Sequence, residues 1–471
     1  MTFPRYPRYK DSGVEWLGEV PAHWEVKRLR YVAQLNPSKS EIRSLPAETP
    51  VSFIPMESVG DDGSLVLDQT RALQDVIDGY TYVREGDVAV AKITPCFENG
   101  KAAIMRGLTN GVGLGTTELT VLRPRGPVTT STYLFRVVTS EPFRWLGESH
   151  MYGAGGQKRV PDDFLREFAI AWPPRDEQDE IAAFLDHETG KIDALIEEQR
   201  RLIELLKEKR LAVISHAVTK GLDPNVPMKD SGVEWLGEVP AHWRVGKIKW
   251  HFFTTSGGTP SSSRYEEYFG GDIPWLRSLD LNDGVIAEYK VSVTEKALIE
   301  TSCRVVPKGS VLIAMYGGDG TIGKNGLLGF DAAINQALCA FLPSKKHLAS
   351  YLHRYLQFYR PYWMVGAESS RKDPNIGQDR IGDSFCLLPP VEEQGEIASY
   401  LHRVLADLDR LETDVVELIG ALEERRSALI SAAVTGKIDV RGWLAGLETQ
   451  EPELAMAAEE PAGYSAQGGA A

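Results

Sequence analysis

The sequence predicts an α+β fold: two related globular α/β domains joined and separated by two long antiparallel coiled-coil helices, with a pseudo-two-fold internal repeat. Three observations predict this fold. One fifteen-residue segment occurs twice, a longer element also occurs twice, and each copy of the longer element has apolar residues at heptad spacing. Repetition at a fixed period indicates a structural unit that has been duplicated.

The first repeated segment, KDSGVEWLGEVPAHW, is identical at Lys10–Trp24 and Lys229–Trp243. Downstream, Pro173–Asp223 aligns without gaps to Pro389–Asp439 at an offset of 216 residues. These repeats divide the chain into two globular domains, two spacer helices and an alanine-rich acidic tail that we expect to be disordered. In chain order the predicted segments are 1–172 (first globular domain), 173–223 (first helix), 224–388 (second globular domain), 389–447 (second helix) and 448–471 (tail).

Each globular domain combines strand and helix signals in the same order. Runs rich in β-branched residues and interrupted by glycine predict strands at Tyr82–Ala91 and Arg304–Ala314. Aromatic patches at helical spacing follow at Tyr133–Trp145 and Tyr351–Trp363. A final strand leads into a Pro-Pro pair in both domains, so the mixture predicts an α+β class.

The two repeated helices carry a coiled-coil pattern. Steps of four and three residues from Ile181, and again from Ile397, fall mostly on apolar side chains. Such a 3.5-residue repeat is typical of a coiled-coil seam. A helix over about 177–217 would be ~60 Å long, and antiparallel pairing of the two copies is the simplest way to bury both seams. We expect these residues to pair the helices: Ile181, Leu185, Ile192, Leu195, Leu202, Leu206, Ile397, Leu401, Leu408, Leu411, Leu418 and Leu422.

Composition and motifs argue against an enzyme, a secreted protein and a membrane protein. The 471 residues include four widely spaced cysteines, which predicts a reducing, cytoplasmic compartment and no structural zinc. No apolar stretch is long enough to span a bilayer, and the N-terminus has no signal-peptide pattern. Gly318–Asn325 resembles a phosphate-binding loop but has Asn325 where Ser or Thr would hold magnesium. We therefore expect no catalytic residue, no metal site and no cofactor bound by this chain.

The net charge of −14 is distributed unevenly. The two globular domains carry −1 and +1, whereas the two helices and the tail carry −4, −5 and −5. Binding to nucleic acid requires local rather than total positive charge. The acidic total therefore does not exclude nucleic acid as a partner of the globular domains.

Basic, amide and hydroxyl side chains cluster in glycine-rich loops at matched places in the two domains. Arg, Lys, Asn and Gln can contact base edges and phosphates, although any one such residue is more often an ordinary solvated loop residue. The clusters taken together favour DNA contact. The candidate residues are Lys92, Thr94, Asn99, Lys101, Gln157, Lys158, Arg159, Lys324, Asn325, Arg371, Lys372, Asn375, Gln378 and Arg380.

With these repeats, the chain resembles the specificity subunit of type I restriction–modification systems over residues 10–440. The resemblance rests on the duplicated opening segment and on the duplicated Pro-Pro-x-x-Glu-Gln-x-x-Ile-Ala element at Pro173–Ala182 and Pro389–Ala398. Pro374–Gln378 and the Asn335-Gln336 pair also resemble the family pattern. We expect the tryptophans of the opening segments to pack inside the protein rather than to contact DNA: Trp16, Trp24, Trp235 and Trp243.

The resemblance implies two target recognition domains, each reading one half of a split site in double-stranded DNA. It implies two modification (methyltransferase) subunits that bring S-adenosylmethionine and methylate adenine, and restriction/translocase subunits that use ATP and Mg²⁺. The first domain departs from the pattern, because Gly155–Val160 stands where the second has Arg371–Ile376. A coiled-coil scaffold that does not read DNA is the alternative, and the bases recognised cannot be inferred from loop composition.

Overall fold

The computed structural model describes residues 3–154, 156–317, 320–364 and 375–443. The chain forms two compact units. Unit 1 contains the described residues up to Glu198 together with those from Glu417 onwards, and unit 2 is Gln199–Val416. Each unit therefore contains part of both long helices. The predicted segment boundaries stay a prediction, and the tail 448–471 lies outside the described residues.

The globular part of unit 1 alternates short strands with short helices. Its strands are β1 (Tyr9–Asp11), β2 (Glu19–Pro21), β3 (Glu25–Arg28), β4 (Ala33–Leu35), β5 (Pro50–Ile54), β6 (Thr70–Ala72), β7 (Thr81–Arg84), β8 (Val88–Ala91), β9 (Ala102–Ile104), β10 (Val112–Gly115), β11 (Leu119–Pro124) and β12 (Ala169–Trp172). Its helices are α1 (Leu29–Val32), α2 (Leu73–Val76), α3 (Ser131–Val138), α4 (Glu141–Ser149) and α5 (Asp162–Glu167), before the long helix α6 (Arg175–Lys220).

The globular part of unit 2 repeats this plan with changes in length. Its strands are β13 (Met228–Asp230), β14 (Glu238–Pro240), β15 (Arg244–Lys247), β16 (Thr254–Ser256), β17 (Phe269–Leu276), β18 (Val285–Ile286), β19 (Ser292–Val293), β20 (Arg304–Val306), β21 (Val311–Ala314), β22 (Asn325–Leu328), β23 (Ala332–Ile334), β24 (Leu338–Phe341) and β25 (Phe385–Leu388). Its helices are α7 (Ile248–His251), α8 (Tyr265–Tyr268), α9 (Glu295–Glu300), α10 (Ala349–Tyr359) and α11 (Gln378–Asp383), before the long helix α12 (Val391–Val434).

Two main sheets form the body of each unit. Their strand orders are β6-β5-β10-β7 and β4-β11-β8-β9 in unit 1, and β19-β17-β23-β20 and β16-β24-β21-β22-β18 in unit 2. The predicted strand run 82–91 is two strands in different sheets, because Gly86 makes a turn with φ +84° between them. The first and last strands of each globular part pair with each other, β3 with β12 and β15 with β25. Each globular part therefore begins and ends on neighbouring strands.

The repeated opening segment packs inside the protein, as predicted for its tryptophans. Trp24 and Trp243 are fully buried. Trp16 stacks on Phe168 with ring centroids 5.6 Å apart, and Trp235 stacks on Tyr362 at 4.3 Å. These contacts attach each opening segment to the globular part that follows it.

One glutamate of the Pro-Pro-x-x-Glu-Gln element joins the two repeats of each unit. In unit 1, Trp24 Nε1 donates to Glu177 Oε1 at 3.0 Å, and His23 Nε2 lies 2.7 Å from Glu177 Oε2. In unit 2, Trp243 Nε1 donates to Glu393 Oε1 at the same distance of 3.0 Å. The same pairing occurs in both units, so in each copy the opening segment binds the first turn of the long helix.

The glutamine of the same element fixes the start of each long helix. Gln178 Nε2 donates to Pro173 O at 3.0 Å, and Gln394 Nε2 donates to Pro389 O at 2.8 Å. Both glutamine side chains are buried, and their Oε1 atoms accept hydrogen bonds from the segment that enters α3 or α10. Each long helix is thus tied to the globular part before it.

Within each unit the two long helices run antiparallel. In unit 1, the start of α6 and the end of α12 share one core that includes Ile181 and Ile430. In unit 2, the end of α6 and the start of α12 share another that includes Ile214 and Ile397. The predicted antiparallel pairing and the fold class of two domains joined by coiled coils are confirmed. No helix within the described residues is apolar over enough of its length to cross a membrane.

The buried row of the long helices differs from the prediction at four of the twelve predicted positions. Leu195, Leu202, Leu411 and Leu418 are 38–49% exposed, while the next residue in each case is buried or half-buried. Leucine and isoleucine are neighbours at 195/196, 202/203 and 418/419, so apolarity does not distinguish steps of four-then-three from three-then-four. The other predicted residues are buried, with Leu422 half-buried: Ile181, Leu185, Ile192, Leu206, Ile397, Leu401 and Leu408.

Candidate nucleic-acid interface

In unit 1, the fold brings together the two predicted clusters of polar side chains. One lies in the loop between β8 and β9, residues 92–101, and the other lies before α5, residues 156–160. Val160 N donates to Lys92 O at 2.8 Å, and Thr94 N donates to Lys158 O at 3.0 Å. We call these two segments the unit 1 loop junction. Residues separated by about sixty positions in the chain therefore meet at one surface.

Within this junction the polar residues have different roles. The Thr94 hydroxyl donates to Lys158 O at 3.1 Å and accepts from Lys158 N at 3.2 Å, so it holds the loops together. Lys101 is half-buried, with Nζ 3.4 Å from Met56 O. Asn99, Gln157 and Lys158 are exposed, and Lys92 is half-buried. The exposed side chains are those available to a ligand.

Arg159 is already paired inside the protein. Its Nε and Nη2 atoms donate to the two carboxylate oxygens of Glu118 at 2.9 and 2.7 Å. The guanidinium holds the pKa of Glu118 below its ordinary value. A bidentate pair of this kind fixes the side chain and neutralises its charge. Arg159 therefore helps to hold the junction together through Glu118, whereas the sequence predicts it as a DNA-binding residue.

Unit 2 builds the corresponding junction with the same backbone contacts. Ile376 N donates to Met315 O at 2.9 Å, as Val160 does to Lys92 in unit 1. Ala314 N donates to Lys324 O at 2.8 Å, which matches the bond from Ala91 to Lys101. The unit 2 loop junction consists of the described residues of 315–324 and of 375–378. Its framework repeats that of unit 1 although the loop sequences have diverged.

The predicted residues of unit 2 divide between surface and core. Asn375 is exposed, and Gln378 is half-buried with Nε2 donating to Thr254 Oγ1 at 3.0 Å. Lys324 and Arg380 are half-buried. Arg371 and Lys372 lie outside the described residues.

The structure contradicts the predicted exposure of Asn325. It is fully buried as the first residue of β22, and its Nδ2 lies 3.4 Å from His353 O. Its backbone N–H donates to Asp283 Oδ1 at 3.0 Å. A side chain enclosed in this way does not contact a base, so the predicted DNA-binding role of Asn325 is wrong for the described conformation.

Three residues beside the unit 1 junction were missed by sequence reasoning. Arg144 Nη1 lies 3.5 Å from Glu98 O, so this guanidinium reaches the 92–101 loop. Trp145, on the same helix, is 64% exposed, and Tyr152 is 68% exposed beside the second loop. Exposed aromatic rings next to cations are typical of nucleic-acid-binding surfaces. Residue type and spacing do not distinguish the exposed Trp145 from the buried aromatic residues near it in the sequence.

The described residues show no cluster of three or more His, Cys, Asp or Glu side chains placed to hold a metal ion. The family model described as "Type I restriction modification DNA specificity domain" matches residues 240–419. This stretch of the chain is therefore similar to a type I restriction modification DNA specificity domain. The family resemblance seen in the repeated motifs is confirmed, and the matched specificity domain contains the unit 2 loop junction.

Known type I specificity subunits are also similar to part of this chain. The chain is 45% identical over 165 residues to the Type I restriction enzyme EcoAI specificity subunit of Escherichia coli, and 42% identical over 164 residues to the EcoEI specificity subunit. Each match covers 35% of this chain and 27% of the relative's length. A solved chain from work on complex assembly and conformational transition of the type I R-M system has the same fold, with a TM-score of 0.69 at 19% identity over 88% of this chain and 98% of that one.

Proposed function

We propose that this chain is the non-catalytic, sequence-specific DNA-recognition subunit of a type I restriction–modification complex. It reads a bipartite site in double-stranded DNA and directs adenine methylation or restriction by partner subunits. The observation that carries the proposal is the loop junction, which is built twice on one framework and lies inside a specificity domain in its second copy. A coiled-coil scaffold without DNA readout has no need for two such junctions.

The repeated framework and its diverged side chains suit two different half-sites. The bonds from Val160 to Lys92 and from Ile376 to Met315 set the same backbone geometry in both units. On that geometry unit 1 presents Lys158 and its neighbours, whereas unit 2 presents Asn375. Base edges are distinguished by which donors and acceptors face them. Two units of one shape with different side chains would therefore read two different sequences.

The strand pairing supports the predicted boundaries of the two recognition domains. β3 pairs with β12 from Glu25 to Trp172, and β15 pairs with β25 from Arg244 to Leu388. Because each globular part begins and ends on adjacent strands, it can be exchanged without displacing the long helices. We propose residues 25–172 and 244–388 as the exchangeable recognition modules.

Exposed leucines on the long helices support docking of two modification subunits. Leu195 and Leu418 are exposed in unit 1, and Leu411 and Leu202 are exposed at the corresponding repeat positions in unit 2. Exposed apolar side chains on acidic helices indicate protein contact rather than DNA contact. Because these leucines correspond through the 216-residue repeat, each unit offers the same apolar positions to one modification subunit.

The partner subunits would carry out the methylation and the ATP hydrolysis. The modification subunits would bring S-adenosylmethionine and the adenine-methylating site. The restriction/translocase subunits would bring ATP hydrolysis with Mg²⁺. We propose that the complex acts in the cytoplasm, where it meets DNA.

The test is methylome sequencing of cells that express the modification subunit with and without this chain. We expect a bipartite adenine-methylated motif that depends on the chain. Lys158→Ala and Asn375→Ala should each weaken methylation or relax one half of the motif, since a lost base or phosphate contact typically costs about 1–3 kcal/mol. The exposed Lys290→Ala is the matched control and should leave the motif unchanged. Methylation that does not depend on the chain would reject DNA readout and favour the scaffold.

A further inference from the structure

The two units differ in the surroundings of one arginine, which lies on α3 in unit 1 and on α10 in unit 2. α3 of unit 1 contains Tyr-Leu-Phe-Arg at 133–136, and α10 of unit 2 contains Tyr-Leu-His-Arg at 351–354. Both helices pack beside the first turns of a long helix. Arg136 and Arg354 therefore occupy equivalent positions, and their surroundings can be compared directly.

In unit 1, a carboxylate of the same chain neutralises this arginine. Arg136 forms an ion pair with Asp186 of α6, and its side chain is only 11% exposed. The preceding residue, Phe135, is buried and apolar. In unit 1, Phe135 fills the space beside the helix and Asp186 balances the positive charge of Arg136.

In unit 2, the carboxylate is missing. The residue equivalent to Asp186, at the repeat offset of 216, is His402. Arg354 Nη1 donates to the neutral amide of Gln357 at 2.9 Å and, in the part of the chain that the structure describes, pairs with no carboxylate. Burial and the neighbouring Arg210 lower the pKa of Arg354, which Asp409 only partly counteracts. This guanidinium therefore lacks the partner that its counterpart has.

A cavity of about 460 Å³ lies at this position, between α10, the start of α12 and the β18–β22 edge. His353, Arg354, His402, Ser350 and Ser399 contribute its polar lining. Gly395 also lines it where the first copy has Asp179, so a second acidic side chain is absent. The space exceeds the roughly 30 Å³ share of one water many times. It can admit a side chain from another molecule.

His353 also lines the cavity, but its polar atoms are enclosed by the protein. It is 3% exposed, and its two ring nitrogens have almost no accessible surface. Burial lowers its pKa to about 3, so the ring is neutral. The imidazole is therefore a neutral part of the cavity wall, and the guanidinium of Arg354 is the group that can bind an anion.

We propose that this cavity is a carboxylate-binding site, in which Arg354 receives the group that Asp186 provides internally for Arg136 in unit 1. Arg354 would bind the carboxylate as an ion pair, and the buried ring of His353 forms part of the wall beside it. The source is either an acidic side chain of a partner protein or a free small carboxylate. The site is distinct from the loop junction, which uses none of these residues.

The first test uses the full chain alone, labelled with ¹⁵N-histidine, and follows the ring signals of His353, assigned by loss in His353→Phe. N-acetylglutamate amide should shift these signals saturably, and N-acetylglutamine amide should not. His402→Asp supplies the carboxylate internally and should reduce the affinity at least tenfold. Asp186→Asn in unit 1 is the control and should leave the affinity unchanged.

Several results would overturn the proposal. These are no shift with the glutamate probe, an equal shift with the glutamine probe, undiminished binding to His402→Asp, or preference for inorganic phosphate over the carboxylate. Arg354→Gln, if it folds by circular dichroism, should also lose at least tenfold in affinity. The outcome for the chain alone does not depend on the proposed function.

A second test separates the two sources and rests on the proposed function. Isothermal titration with the modification subunit should show at least tenfold weaker binding to His402→Asp than to Asp186→Asn if a partner's acidic side chain occupies the cavity. Equal binding by the two variants, with the glutamate probe still bound by the free chain, assigns the site to a free carboxylate. Absence of any complex with the unmodified chain would instead count against the proposed function.

Discussion

The buried row of the long helices gives a prediction that adjacent residues can test. Leu195 and Ile196 lie next to each other on α6 and are both apolar, but Leu195 is 45% exposed and Ile196 is 6% exposed. We predict that Ile196→Ala destabilises the helix pair in unit 1 much more than Leu195→Ala. Each variant is the matched control for the other, because the two residues are adjacent on the same helix and both are replaced by alanine.

The expected sizes follow from burial. Truncating a buried isoleucine to alanine typically costs about 2–5 kcal/mol, because both the transfer energy and a cavity are lost. Alanine has a higher helix propensity than isoleucine by about 0.4 kcal/mol, which offsets a small part. For Ile196→Ala we expect about 2–4 kcal/mol. For Leu195→Ala we expect less than about 1 kcal/mol, since much of that side chain is already in water.

Hydrogen exchange measured by mass spectrometry is the suitable assay, because a chain with two units need not unfold in one step. Peptides covering α6 within unit 1 should exchange at least tenfold faster in Ile196→Ala, since 1.4 kcal/mol is a factor of ten in the opening equilibrium. Leu195→Ala should change these rates less than about fivefold. A larger effect of Leu195→Ala than of Ile196→Ala would refute the assigned row.

Three further predictions follow from buried polar contacts. Glu177→Ala should lower the free energy of opening of unit 1 by about 2–4 kcal/mol in hydrogen-exchange measurements, because the buried Trp24 N–H loses its acceptor. An effect below about 0.5 kcal/mol would contradict this role. The pair of Glu118 and Arg159 lowers the pKa of Glu118, so its stabilising effect is present above about pH 4.5 and is lost as the pH falls through the lowered value in the folded state. Arg159→Ala should remove this pH dependence of unfolding, an effect of at most about 1 kcal/mol for a partly exposed pair. Asn325→Ala should destabilise unit 2 and leave the methylated motif unchanged, and a changed motif would restore the DNA-contact role.

Much of the fold follows from repetition in the sequence. The identical opening segments and the repeated Glu177 and Glu393 predict two units with one internal contact pattern, and the Trp–Glu hydrogen bonds show what that pattern is. The predicted helix seam coincides with buried or half-buried residues at eight of twelve positions. At three of the other four, leucine and isoleucine are neighbours and equally apolar, so the sequence pattern does not distinguish them. Burial, which decides between them, depends on the tertiary structure.

The candidate site is less predictable, because residue type does not report a side chain's surroundings. Lys158 and Asn375 are exposed as a DNA-reading role requires. Asn325 and Arg159 have equally suitable chemistry but are respectively buried and paired with a carboxylate. Trp145 differs from its prediction in the opposite direction. Its aromatic spacing indicates a core residue, yet its side chain is exposed. The distinction in each case comes from contacts between distant parts of the chain.

The central claim is that each unit reads one half of a split DNA site. The most direct measurement replaces residues 244–388 with the corresponding module of another specificity subunit and determines the adenine-methylated motif by single-molecule sequencing. The account predicts that one half of the motif changes to that of the donor while the other half is retained. Loss or replacement of both halves in a folded, assembled chimera, or retention of the original motif, would contradict it.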